Sequence, residues 1–187
     1  MPRAGLSRAA VVDLGGEIAD RVGLERLTMA AVAEQAGVRL PSLYKHVRGL
    51  DDLHVGIATA ALHQLAGTLR SALDGVSPED ALPALAGAYR AFAQRHPARY
   101  AATLRAPDPD DHDHVAAAQE VFALVAGVLS ASGLEGERAV HAIRIVRAAL
   151  HGFVALDAAG GFRLPQDLDR TYALMVEMLR RGISELP

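Results

Sequence analysis

Residues 27–47 read LTMAAVAEQAGVRLPSLYKHV, and the punctuation of this stretch decides how the chain is organised. Thr28 stands just before a short apolar-periodic run. Its hydroxyl suits an N-cap, accepting one of the amides that the first helical turn leaves unpaired. Met29, Val32 and Ala33 recur at helical spacing and form the inner face of that helix. Gly37 then stops it. Pro41 starts the next helix at the first helical position, where its missing N–H would have no partner anyway. A Gly-containing turn of about three or four residues between two short helices is a helix-turn-helix. Leu43 and Val47, four apart, face the core, which turns Ser42, Tyr44, Lys45 and His46 outward.

Working outward, helical periodicity dominates the 187 residues and no alternating strand pattern is found. Ser7 caps a first helix whose buried stripe is Val11, Leu14, Ile18 and Val22, with Gly23 as its stop. Gly15-Gly16 inside this run is a local conflict, worth about 1 kcal/mol per glycine relative to alanine. A long helix is predicted from Leu50 to Leu73, with Leu53, Ile57, Ala61, Leu65 and Leu69 inward and Asp51-Asp52 at its positive end. Ser77-Pro78 opens a helix through Arg95, and His96-Pro97 opens another to about Leu104. Three more follow, over about 115–131, 137–157 and 167–183. The expectation is an all-α fold of about nine helices. Residues 1–50 would make a small head domain and residues 51–187 a larger helical body.

Composition narrows the chemistry. Alanine makes up about a fifth of the chain and aromatics only 4%, which favours closely packed helices. The net charge is −3, so the molecule as a whole is no bulk polyanion binder. Residues 1–50, however, carry seven Lys or Arg against five Asp or Glu, whereas 51–187 carry twelve against seventeen. A mildly basic head on an acidic body permits local contact with a polyanion. The absence of cysteine excludes disulfides, thiolate metal sites and cysteine nucleophiles. No signal-peptide h-region and no uninterrupted membrane-length apolar run are read in the sequence, so a cytoplasmic protein with no membrane partner is expected.

The stretch 27–47, with Thr28 as cap, the Val32-Ala33 pair, the Gly37-Val38 turn and Leu43-Tyr44-x-His46-Val47, resembles the DNA-binding head of the tetracycline-repressor (TetR) family of transcriptional regulators over roughly residues 7–55. Two body segments, AYRAFAQRHPARYAATL and RAALHGFVALDAAGGF, are similar to a subgroup with a His-Gly (WHG-type) element in helix eight. The resemblance implies a three-helix head, a ligand-binding and dimerising body, and phosphate contacts from Thr28, Tyr44 and His46. One departure stands out. The family usually has a phosphate-gripping lysine just before helix four, and this chain has Leu50, followed by Asp51-Asp52; Arg48 is the substitute.

The residue chemistry agrees with the resemblance. A helix-turn-helix lays its second helix in the major groove, where N-terminal side chains meet base edges. The DNA-contacting set is Thr28, Arg39, Leu40, Pro41, Ser42, Tyr44, Lys45, His46 and Arg48, with a recognition helix over about 40–47. Ser42 can donate or accept, Lys45 can reach guanine or phosphate, and Tyr44 and His46 can bond phosphate oxygens. Lys45 is the chain's one lysine, against eighteen arginines. Arg3 and Arg8 would add contacts from the N-terminal arm.

One such head covers little DNA, so a homodimer on a palindromic double-stranded operator is expected. The resemblance puts dimerisation on the last two helices. Val140, Ile143, Val146, Leu150 and Val154, and then Leu168, Tyr172, Met175, Leu179 and Ile183, supply suitable stripes, with Gly152 permitting close approach. The resemblance also implies a cavity for a small-molecule effector. Candidate lining residues are His63, Tyr89, Phe92, His96, Tyr100, Phe122, Arg147 and His151, with Phe153 as a further apolar wall. Two other classes remain: a helical adaptor without DNA binding, and a metal-dependent enzyme using the Asp/His segment 108–114. The latter segment lies in a Pro-rich connector, read as a solvated loop, with no nucleophile nearby. No P-loop, dinucleotide-binding glycine pattern or nucleophile elbow is present. No catalytic residue, no resident metal and no cofactor is expected.

Overall fold

The computed structural model describes residues 6–131 and 133–185, which form nine α-helices and one 3-10 turn with no strand among them. The helices are α1 (Arg8–Val22), α2 (Met29–Ala36), α3 (Leu40–Leu43), α4 (Leu50–Leu73), α5 (Pro78–Arg95), α6 (Pro97–Ala102), α7 (His112–Ser130), α8 (Gly136–Ala158) and α9 (Leu168–Ser184). Two compact units share them. One runs through Gln64 and resumes over His96–Ala118, and the other comprises Leu65–Arg95 and the chain from Gln119 on. The packing therefore assigns α6 and the first turns of α4 and α7 to the same unit as the head, beyond the 50/51 boundary read from the sequence.

In the first unit, α1 begins at Ser7, whose hydroxyl accepts the Ala10 amide at 3.1 Å, and ends at Gly23 with φ 92°. Its buried face is Val11, Val12, Gly15, Gly16, Ile18 and Ala19. Val22, read as part of the stripe, is 39% exposed. The glycine pair is explained by what lies against it. A Cβ on Gly15 would sit 3.0 Å from Leu53 Cδ1, and one on Gly16 would sit 2.5 Å from Arg99 Nε. Helix propensity is given up here for close approach.

Arg99 itself is 8% exposed and ties α1 to α6. Its Nη2 donates to the Asp13 carbonyl and carboxylate, both at 3.1 Å, and its Nε lies 3.5 Å from Asp20. The Asp20 carboxylate also accepts the Ala98 and Arg99 amides at 3.0 Å, so a residue of α1 caps α6. Such charge-assisted bonds satisfy a helix start that would otherwise be orphaned.

In the second unit, α5 packs on α8 and α9. Arg90 of α5 lies 4.9 Å from the Tyr172 ring centroid and 5.4 Å from that of Phe153, and pairs with Asp157 at 3.4 Å and Asp169 at 2.8 Å. The Tyr172 hydroxyl donates to the Ala86 carbonyl at 2.8 Å, and burial raises its pKa well above the ordinary phenol value. Most of the stripes read on α8 and α9 are buried or half-buried, but Val140 is 39% exposed. Helix α8 is, by length and mean composition, apolar enough to cross a membrane, although its apolar run is not uninterrupted. Arg144 and Arg147 interrupt it, and Ile143, Val146, Leu150, Phe153 and Val154 are buried within the protein. Among the described residues, nothing beyond its chain neighbours and its own helix backbone comes within 4 Å of a Cβ placed on Gly152.

Candidate nucleic-acid interface

The interface is built by two helix ends and a turn. Thr28 caps α2 as read, its hydroxyl oxygen accepting the Ala31 amide at 3.1 Å, which leaves the hydroxyl proton to be donated outward. Gly37 takes the left-handed conformation (φ 66°) and Val38 N–H returns to the Ala33 carbonyl at 3.0 Å, so the chain reverses tightly. Arg39 precedes α3 in extended geometry, and the Ser42 amide bonds its carbonyl at 2.8 Å. Pro41 is the second helical residue, one later than read, still within the turn that needs no amide donor.

The helix itself is shorter than read. Regular α geometry ends at Leu43, and Tyr44–His46 continue as a turn. The His46 and Val47 amides both bond the Leu43 carbonyl, at 2.8 and 3.0 Å, a tightened closure common at helix ends. Leu43 and Val47 are 0% and 1% exposed and hold the segment on the core. Arg39, Leu40, Pro41, Tyr44, Lys45 and Arg48 are exposed, and Ser42 and His46 half-buried, so every side chain read as DNA-contacting except Thr28, exposed at the start of α2, reaches the surface of one segment. Leu50 packs against the head core beside Val47 and Leu53, which is why an apolar residue stands where the family resemblance implies lysine.

Charge next to this segment is arranged around Asp52. Its carboxylate receives Arg8 at 2.8 and 3.0 Å, the Arg48 amide at 2.8 Å and the Arg48 guanidinium at 3.3 Å. The bond from Arg8, with those from Arg48, outweighs desolvation and holds the Asp52 carboxyl far below the usual carboxylate range. The same bond holds Arg8 above its ordinary value. Arg8 is therefore engaged within the head. Arg3 lies outside the described residues. The Arg48 side chain is 91% exposed despite its bond to Asp52.

The acidic segment reads differently in three dimensions. Helix α7 starts at His112, three residues before the expected position, capped by Asp111 accepting the His114 amide at 3.0 Å. His114 is not a solvated loop residue. It is 1% exposed, and burial lowers its pKa. Asp108 folds back on the Asp110 amide at 3.1 Å, and Arg105 pairs with Asp51 at 3.0 Å. These residues border an open groove of about 1370 Å³ with Arg8, Arg48 and Asp52. Among the described residues, no group of three or more His, Asp or Glu side chains has a metal-holding arrangement.

The effector candidates are divided between the two units. His63, His96 and Tyr100 belong to the first unit, and Tyr89, Phe92, Phe122, Arg147 and His151 to the second. Phe92 and Tyr100 are buried, Tyr89, His96 and His151 half-buried, and His63, Phe122 and Arg147 exposed. His96 lies 3.3 Å from Asp20, in the cluster that joins α1 and α6. Sequence reasoning passed over Arg99, Arg90 and Asp20; the one signal for the Arg99 cluster was Gly16, a missing side chain on a buried face, and Arg90 had none.

With the geometry in hand, comparison with known proteins places the chain. A family model described as the tetracyclin repressor-like C-terminal domain matches residues 82–179. The chain belongs to the TetR family. That match spans both body segments, including His151-Gly152 on α8. An HTH-type transcriptional regulator of Mycobacterium tuberculosis is 38% identical over 95% of this chain and 80% of its own length. Another HTH-type regulator, from Bacillus subtilis, is 31% identical over 97% and 95%. The fold is shared with a TetR regulator from Streptomyces coelicolor (TM-score 0.77, 20% identity, 97% of this chain and 99% of that one). It is also shared with a TetR variant from Acinetobacter baumannii solved with minocycline (TM-score 0.72, 22% identity, 97% and 98%). The protein is accordingly a TetR-family helix-turn-helix transcriptional regulator that binds DNA.

Proposed function

We propose that this TetR-family protein is a cytoplasmic, ligand-responsive repressor that binds a palindromic operator as a homodimer, with residues 40–47 in the major groove. The observation that carries the DNA contact is the division of the segment into buried Leu43 and Val47 and outward Arg39, Leu40, Tyr44, Lys45 and Arg48. Ser42 and Lys45 read bases, while Thr28, Tyr44, His46 and Arg48 hold phosphates. Exposed Ile145 on α8, with Leu174 and Met178 on α9, supports a dimer through these helices. They line an apolar groove of about 530 Å³, and Met178 is 73% exposed. An unpaired apolar surface of this kind is the usual mark of an interface.

The effector is a small organic molecule met by Tyr89, Phe92 and His151, which are the buried or half-buried candidates of the second unit. The minocycline complex of the Acinetobacter TetR variant supports that class of ligand. A ligand of this kind lowers operator affinity only by favouring one of two dimer states. Selection of duplexes from a random pool, followed by binding at several salt concentrations, tests the reading. Enrichment of a two-fold symmetric site with salt-dependent affinity is the expected result. Failure to enrich any sequence, or binding by a monomer, refutes it.

A further inference from the structure

Resting on the reading of residues 40–47 as the DNA contact, we propose that Arg8 and Asp52 form a positioning clamp that fixes the Tyr44–His46 turn for DNA binding, rather than Arg8 touching DNA. The Arg8 Nη1 donates to the His46 carbonyl at 3.2 Å and to Asp52 at 2.8 Å, and its Nη2 to the other Asp52 oxygen at 3.0 Å. One guanidinium thus joins α1, the end of the recognition segment and the start of α4. Its planar fork makes this possible, since both terminal nitrogens meet the Asp52 carboxylate while Nη1 also reaches the His46 carbonyl.

The clamp acts where the backbone is least supported. Beyond Leu43 the segment has no regular helical ladder, and a carbonyl at a helix end is an orphan unless a side chain donates to it. Arg8 supplies that donor for His46. On the other side, Asp52 bonds the Arg48 amide, closing the link from His46 through Arg48 into α4. The Asp52 side chain is only 10% exposed, so its charge is committed to this purpose. Gly56, one turn further along α4, lets α1 come near: a Cβ there would sit 2.7 Å from Val12 Cγ2 and 3.6 Å from Arg8 Nη2.

Electrostatics and positioning predict opposite signs for one substitution. Asp52→Asn removes a negative charge beside DNA and frees two arginines, so field effects alone would raise affinity. Loss of the clamp lowers it instead. The experiment measures binding of the intact protein to an in-vitro-selected duplex across a salt series, together with amide exchange. The expected result is about a tenfold loss for both Arg8→Gln and Asp52→Asn, the scale of a hydrogen bond to a charged group. The double variant should be no weaker than either single one. The salt slope should stay unchanged, and the His46 and Val47 amides should exchange faster while those of Val32 and Ala33 do not.

Higher or unchanged affinity of Asp52→Asn overturns the proposal. So does a salt slope reduced by about one in Arg8→Gln, which would mark a direct phosphate contact. If Arg8→Gln does not fold, Arg8→Lys carries the test. It keeps the charge but lacks the fork, so weaker binding at unchanged slope and faster exchange at His46 and Val47 are expected, and parental exchange there overturns the clamp. Tyr44→Ala separates the two readings. If it binds like the parent, the interface assignment has failed and the clamp with it; if it binds weakly while both clamp variants bind normally, the clamp alone has failed.

Discussion

Gly16→Ala tests the packing of the head most directly, because propensity and tertiary contact predict opposite outcomes. In the middle of a 15-residue helix, glycine to alanine stabilises by about 1 kcal/mol if nothing else changes. Here the added methyl would lie 2.5 Å from Arg99 Nε, 3.1 Å from Nη2 and 3.2 Å from Cζ. The guanidinium cannot move aside freely, since it holds Asp13 and faces Asp20. Displacing it breaks charge-assisted bonds worth about 1.5–3 kcal/mol in a largely buried setting. The balance is a net loss of about 0.5–2 kcal/mol. For a chain of this size that corresponds to a fall of about 1–8 °C in Tm. Urea and thermal unfolding at fixed protein concentration measure it, because association would otherwise shift the midpoint. In an Arg99→Ala background the clash is gone, and the same Gly16→Ala substitution should stabilise. A Gly16→Ala protein more stable than its parent, or one with the same sign in both backgrounds, refutes the packing account.

Other expectations concern the surface and the titrating core. Lys45→Ala should relax sequence preference if the ammonium reads a base, or reduce the salt slope by about one if it holds a phosphate, as measured by binding across duplexes and salt. Tyr44→Ala and His46→Ala should weaken DNA binding while sedimentation shows the oligomer unchanged. Met178→Glu, at the most exposed large apolar residue of α9, should shift sedimentation towards monomer and weaken operator binding with it. Burial lowers the His114 pKa in the fold, so the unfolded chain takes up this proton first as pH falls. Its contribution is complete above about pH 6.5 and is lost on acidification below it. His114→Leu should remove that component from the pH dependence of unfolding.

What was legible in the sequence were the local signals. Ser7, Thr28 and Gly37 act where their side chains or φ angles act, and the Leu50–Leu73 helix follows from an unbroken stripe of inward residues. The recognition segment was legible because Leu43 and Val47 alternate with polar neighbours. Its length was not, since 3-10 closure at Leu43 is a matter of hydrogen bonding that side-chain spacing does not encode. His114 was misread because the Asp-rich run around it looks solvated, whereas one helix turn carries a single histidine inward. Arg99 and Asp20 left no more than the indirect trace of Gly16, for another reason. A buried arginine has no periodic signature, and its partners lie 79 and 86 residues away in the chain.

The exposed position of Lys45 gives the molecule an unusual chemical handle. With one lysine among 187 residues, a lysine-specific protease has one internal cleavage site, and that site lies in the turn after α3. Digestion would part the chain between Lys45 and His46, within the segment assigned to DNA. Protection of that single bond by a duplex would then report occupancy directly, as one band on a gel, without any label.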